Sequence, residues 1–146
     1  MANFTVFESG APATWDRWLF KHPRLPTKGK SFLREHLGLT GMEVSVNSFP
    51  PGATMPFVHR HRVNEELYLF LSGTGEFRVD DAIFPVGEGT VVRVAPGGHR
   101  VYRNTGTTPL VFLVVQAPAG KMDTATVEDG MRVEEPLGFP PAATTA

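Results

Sequence analysis

The chain contains no cysteine. That absence removes thiolate metal ligands, a cysteine nucleophile and any disulfide framework, and leaves the chemistry to histidine, carboxylate and oxygen-bearing side chains. An excess of one charge is missing too: 14 Lys and Arg stand against 15 Asp and Glu, with no basic block. The electrostatic footprint of a nucleic-acid binder is therefore absent, and a small-molecule partner is expected. No apolar run reaches the ~20 residues that a membrane-crossing helix needs, and the first residues lack the basic-then-apolar order of a secretory signal. No membrane partner and a cytoplasmic location are the expectations. Solenoid-type repeats and long low-complexity tracts are also lacking, and 146 residues are the size of one domain able to bury its own core.

What the chain does have is short strands. Met42–Asn47 alternates apolar and polar residues, as a half-buried strand does, and Pro50-Pro51-Gly52 ends it. Leu67–Leu71 is a strongly apolar strand, and Glu76–Val79 pairs through Asp80-Asp81 with Ile83–Val86 as a hairpin. Thr90–Val94, Val101–Asn104 and Leu110–Gln116 follow, separated by turns rich in glycine or proline. Before them, Phe4–Phe7 reads as an edge strand, Trp15–Phe20 as a short helix or flap packing on the barrel, and Phe32–Leu39 as strand or helical turn. Lys28-Gly29-Lys30 reads as a loop with solvated lysines. At least eight short strands predict an all-β sandwich or barrel. The division expected is an N-terminal strand and flap over 1–40, a barrel core over 41–120, and a C-terminal extension over 121–146 whose last residues, Pro140–Ala146, have little to bury.

Candidate ligands cluster at one place, residues 52–73. Successive strand side chains point to opposite faces, so His59 and His61 share a face, and the polar Arg62-Val63-Asn64 stretch turns the chain and returns Glu66 on the next strand. Two imidazoles and one carboxylate suit divalent Fe, Mn, Ni or Zn with positions left open for water or substrate. His22 and His36 have no ligand neighbour at useful spacing and read as ordinary surface or packed histidines. Tyr68 and Phe70 share the side of Glu66 and line the same interior.

Gly52, His59, His61, Glu66 and Gly73 fill the first motif of the cupin superfamily, which the chain resembles, and the match to Gly73 selects Glu66 over its neighbour Glu65. Gly89, Gly97 and Asn104 stand in the places of the second motif. Ala95 replaces its first proline, and Arg100 occupies the position of the third histidine ligand, with His99 one residue early. A bulge at Gly97-Gly98 would bring His99 in as a fourth ligand. In regular register Arg100 faces inward with Tyr102, and two roles for Arg100 stand: gripping an anionic substrate beside a three-ligand metal, or pairing with Glu66 in place of the metal. Arg100, Tyr68 and Tyr102 form the candidate substrate-contacting set. The resemblance implies a single-domain jelly-roll β-barrel, a homodimer, and a metal-dependent dioxygenase, decarboxylase or isomerase acting on a small oxygenated or anionic molecule. The rival reading is a non-catalytic, metal-free barrel that binds a sugar or other metabolite.

Overall fold

Two antiparallel sheets face each other across an aromatic core in the computed structural model, which describes residues 2–124, 127–136 and 138–139. The expected tail, Pro140–Ala146, lies outside the described residues. A 3-10 turn at Pro12–Arg17 leads into two short paired strands, β1 (Leu19–Phe20) and β2 (Thr27–Lys28), then β3 (Lys30–Phe32) and a single helical turn α1 (Arg34–Leu37). Seven strands follow: β4 (Glu43–Phe49), β5 (Asn64–Ser72), β6 (Thr74–Val79), β7 (Ala82–Gly87), β8 (Val91–Val94), β9 (Arg100–Asn104) and β10 (Leu110–Pro118). The larger sheet runs β3-β4-β10-β5-β8 and the smaller β7-β6-β9. The fold is all-β, as the strand pattern predicts. No helix among the described residues is long and apolar enough to cross a membrane.

Alternation explains the core. Tyr68 and Phe70 of β5, Phe77 of β6, Val86 of β7, Val92 and Val94 of β8, and Leu110, Phe112 and Val114 of β10 all point between the sheets and form one buried cluster. The β6–β7 hairpin turns at Asp80, whose φ of 52° is a left-handed conformation that aspartate tolerates.

Strand β4 departs from its sequence pattern. A half-buried strand places its apolar side chains inward, yet here Ser45 and Asn47 face the barrel interior while Val44 and Val46 face outward. The outward side is covered by Trp15 and Leu33, which join Val46 and Val111 in a second buried cluster. The N-terminal segment thus supplies the apolar cover, and the polar face of β4 is left free to build a site. Within that segment the expected strand at Phe4–Phe7 makes no ladder pairing, and Phe7 instead stacks on His36 at 4.1 Å between ring centroids.

The expected loop at Lys28-Gly29-Lys30 is instead a strand junction. Gly29 donates to Trp18 O at 2.7 Å and accepts from Ser48 N at 2.7 Å, at φ 74°. A Cβ there would lie 2.1 Å from Ser48 O, so only glycine lets β3 dock on β4 at this point. The docking carries Lys30 opposite Asn47, on the inner face of the sheet.

Candidate metal centre and adjoining cavity

Residues 53–61 run along β9 without becoming a regular strand. His59 and Arg100 exchange both backbone hydrogen bonds, at 3.1 and 2.9 Å, while Met55 N–H donates to Tyr102 O and Asn104 N–H to Ala53 O. Directly opposed residues in an antiparallel pair send their side chains to the same side. His59 and Arg100 therefore enter the barrel together, His61 follows two residues on, and Glu66 reaches them from the inner face of β5. The possible ligand atoms of His59, His61 and Glu66 all lie within 4.8 Å of one another.

Glu66 is the hub. Its Oε2 accepts the Tyr68 O–H at 2.7 Å and lies 3.0 Å from Arg100 Nε, and its Oε1 lies 3.0 Å from His61 Nε2. Arg100 is 0% exposed, with Nη1 donating to Gly98 O at 2.9 Å. Neither the Arg100 Nε–H nor the His61 ring points at Glu66 well enough to count as a hydrogen bond. The Arg100 contact is a close ionic approach, and the His61 contact is a close approach of a ring nitrogen to a carboxylate oxygen. Burial, reinforced by the charges of Arg100, His61 and Lys30 against the opposing pull of Glu66, holds His59 at about 4, so its imidazole is neutral at pH 7. Burial and then the Glu66 charge hold the Tyr68 hydroxyl protonated, and the same two causes do so for Tyr102.

This donor set fits a divalent first-row metal. Two nitrogens and one carboxylate converge, and His59 Nδ1 and His61 Nε2 are buried atoms with no hydrogen-bond partner. Metal ligation needs a neutral imidazole, which is the state burial imposes on His59. Tyr68 and Arg100 engage Oε2 and leave Oε1 facing the histidines.

His99 stays outside the group. It is exposed, and its backbone N–H donates to Asp80 Oδ1 at 2.9 Å. Opposition of Arg100 to His59 sets this register, and Gly98 closes a turn on Ala95 O at 3.1 Å. Glu65 points away from Glu66 and pairs with Arg93 at the surface, at 2.7 Å. Asn104 ties the barrel end together, donating to Phe49 O and Thr108 O, each at 2.9 Å.

Beside the centre lies a cavity of about 580 Å³ walled by Phe49, Met55, Phe57, Tyr102 and Phe112, with Lys30 among its polar groups. Its lining does not include His59, His61, Glu66, Tyr68 or Arg100. Two aromatic contacts join the spaces: Phe57 meets the His59 ring at 5.9 Å, and Tyr102 meets Tyr68 at 6.3 Å. Of the sequence-selected contact residues, Tyr102 reaches the cavity, while Tyr68 and Arg100 stand behind Glu66. Lys30 is the residue that sequence reasoning missed. The signal available was Gly29, whose conformation brings the next residue onto the sheet.

Burial draws the Lys30 ammonium down to about 8 against the raising influence of Glu66 and Glu43. A folded value below the unfolded one, 10.5, means that the folded state holds fewer protons between those two limits. Its destabilising desolvation is present below pH 8 and relieved as pH rises towards 10.5. Wild-type protein is therefore expected to gain stability relative to Lys30→Met from pH 7.5 to pH 10, read from urea midpoints; a constant difference would refute the assignment.

The amino-acid sequence matches the family model "Cupin domain" over residues 45–116. The crystal structure of a cupin protein from Bacteroides fragilis is 33% identical, covers 91% of this chain and 99% of that one, and superposes with a TM-score of 0.76. The chain belongs to the cupin family. An uncharacterized protein of Methanocaldococcus jannaschii is 29% identical to this cupin over 96 residues, 63% of this chain and 77% of the relative. A protein of Acidithiobacillus ferrooxidans, provisionally assigned as a sugar phosphate isomerase, is 27% identical with a TM-score of 0.55, covering 60% of this chain and 57% of that one.

Proposed function

We propose that this cupin binds a divalent first-row metal through His59, His61 and Glu66 and acts on a small oxygenated or anionic molecule. The observation that carries the reading is the convergence of three donor groups within 4.8 Å, with one nitrogen on each of His59 and His61 buried and unpartnered. A bound divalent ion supplies Lewis-acid polarisation of a substrate oxygen, chemistry shared by the dioxygenase, decarboxylase and isomerase classes. The protein's own groups set up the rest. Tyr68 and Arg100 orient the Glu66 carboxylate from behind. Tyr102, kept protonated by burial and by Glu66, donates a hydrogen bond from the cavity wall to a substrate oxygen. Phe57 and Met55 give the cavity part of its apolar wall.

The test is elemental analysis after reconstitution with Mn(II), Fe(II) or Zn(II). Near-stoichiometric metal is expected in the wild type and loss of it in the paired change His59→Ala, His61→Ala. One observation favours a second reading: the Arg100–Glu66 approach at 3.0 Å places a permanent cation on the ligand carboxylate. No metal uptake after reconstitution would establish that reading, a metal-free barrel that binds a small molecule.

A further inference from the structure

Lys30 is a half-buried cation on the inner face of the sheet. One row crosses the inner face of the larger sheet through Lys30, Asn47 and Phe112, set by the registers of β3 on β4 and of β4 on β10. The Lys30 ammonium donates to Asn47 Oδ1 at 2.8 Å and to Ser45 Oγ at 3.3 Å, and sits 4.7 Å from the Phe32 ring centre. Asn47 is itself fixed, its Nδ2 donating to Ser45 O and Ser45 Oγ, each at 3.1 Å. Neutral oxygens thus hold the ammonium in place from a rigid base and neutralise none of its charge. Among the described residues, no carboxylate lies within 4.0 Å of it. A cation drawn partly out of water is stabilised by an opposite charge at close range, and this arrangement leaves that place to an anion from outside.

The cavity beside Lys30 narrows the class of that anion. Phe49, Met55, Phe57 and Phe112 give the cavity an aromatic and aliphatic wall, Tyr102, Asn47, Ser48 and Thr27 stand among its polar lining, and its volume of about 580 Å³ has room for a ligand that carries an aromatic ring. Asp16 and Lys28 sit exposed at the rim. A sugar presents hydroxyls all round, and against the apolar wall of Phe49, Met55, Phe57 and Phe112 those on that side would lose their partners. An acid with an apolar body matches both halves of the site.

We infer that Lys30 is the anion-contacting residue of this cavity and that the ligand is a small carboxylic acid bearing an apolar, aromatic-sized body. The inference rests on the small-anion part of the function proposed above and is independent of the metal.

The experiment is calorimetric titration of metal-free wild-type protein with phenylacetate, acetate and 2-phenylethanol, which separate the charge from the apolar body. Phenylacetate is expected to bind at least about tenfold more tightly than either of the others, since each half contributes on the order of one charged hydrogen bond or one buried ring. Lys30→Met is expected to weaken phenylacetate by about tenfold or more. Metal uptake is measured on a separate, reconstituted sample of the same wild-type protein, so failure of metal uptake and failure of this inference read out separately. Parity of phenylacetate with acetate or with 2-phenylethanol overturns the inference, as does undiminished binding by folded Lys30→Met. If Lys30→Met does not fold, the wild-type comparison decides the ligand class and Lys30→Gln, read in the same titration, decides the contact.

Discussion

Glu66→Ala is expected to destabilise the metal-free protein by about 3–5 kcal/mol, more than any surface substitution in the chain. Arg100 is fully buried, and the Glu66 carboxylate is its one anionic partner within 4.0 Å among the described residues. Removing the carboxylate leaves a guanidinium in the barrel interior with only Gly98 O accepting from it, and strands the Tyr68 hydroxyl. Glu66→Gln keeps the volume and an acceptor for Tyr68 but still leaves the cation uncompensated, so most of the loss remains. The double change Glu66→Leu, Arg100→Met is expected to recover much of it, because a buried ion pair gains little over well-packed apolar groups once both desolvation penalties are counted. Urea unfolding of the four proteins measures this directly. A Glu66→Ala protein within about 1 kcal/mol of wild type would show that the Arg100 charge is met by water or by backbone instead.

Phe77→Ala is the second large effect, at about 3–5 kcal/mol. Phe77 is 0% exposed, meets Tyr68 edge-on at 4.8 Å and stacks on Tyr102 at 5.9 Å, with Phe84 at 5.8 Å on its other flank. Truncation opens a cavity at the point where the two sheets meet and removes the ring that holds both tyrosines. The consequence reaches the site, since Tyr68 is the hydrogen-bond donor to Glu66. Loss of near-ultraviolet circular dichroism from the tyrosines should accompany the fall in urea midpoint. A midpoint change worth under about 1 kcal/mol would mean that the barrel collapses to fill the gap.

Much of the site was legible in the sequence because its logic is local. Alternation on a strand is a property of consecutive residues, so His59 and His61 had to share a face and Glu65 had to oppose Glu66. The structure places Glu65 with Arg93 and Glu66 with the histidines. The hairpin at Asp80-Asp81 and the apolar core strand at Leu67–Leu71 were legible for the same reason. Composition alone, without cysteine, removed thiolate from the possible donors.

Three features were decided only by tertiary structure, each by a contact between residues far apart in the chain. Whether Arg100 or His99 enters the barrel depends on which residue of 53–61 lies opposite it, and that register belongs to the pairing of two segments. The inward polar face of β4 exists because Trp15 and Leu33 cover its other side, and no window around residues 42–49 contains that information. Lys30 turns inward because Gly29 packs on the backbone of Ser48, which makes a lysine of an apparent loop a half-buried ammonium beside a cavity. Periodicity reports which side chains share a face; only the folded packing decides what that face meets, since burial and charge pairing depend on neighbours that the chain brings together from a distance.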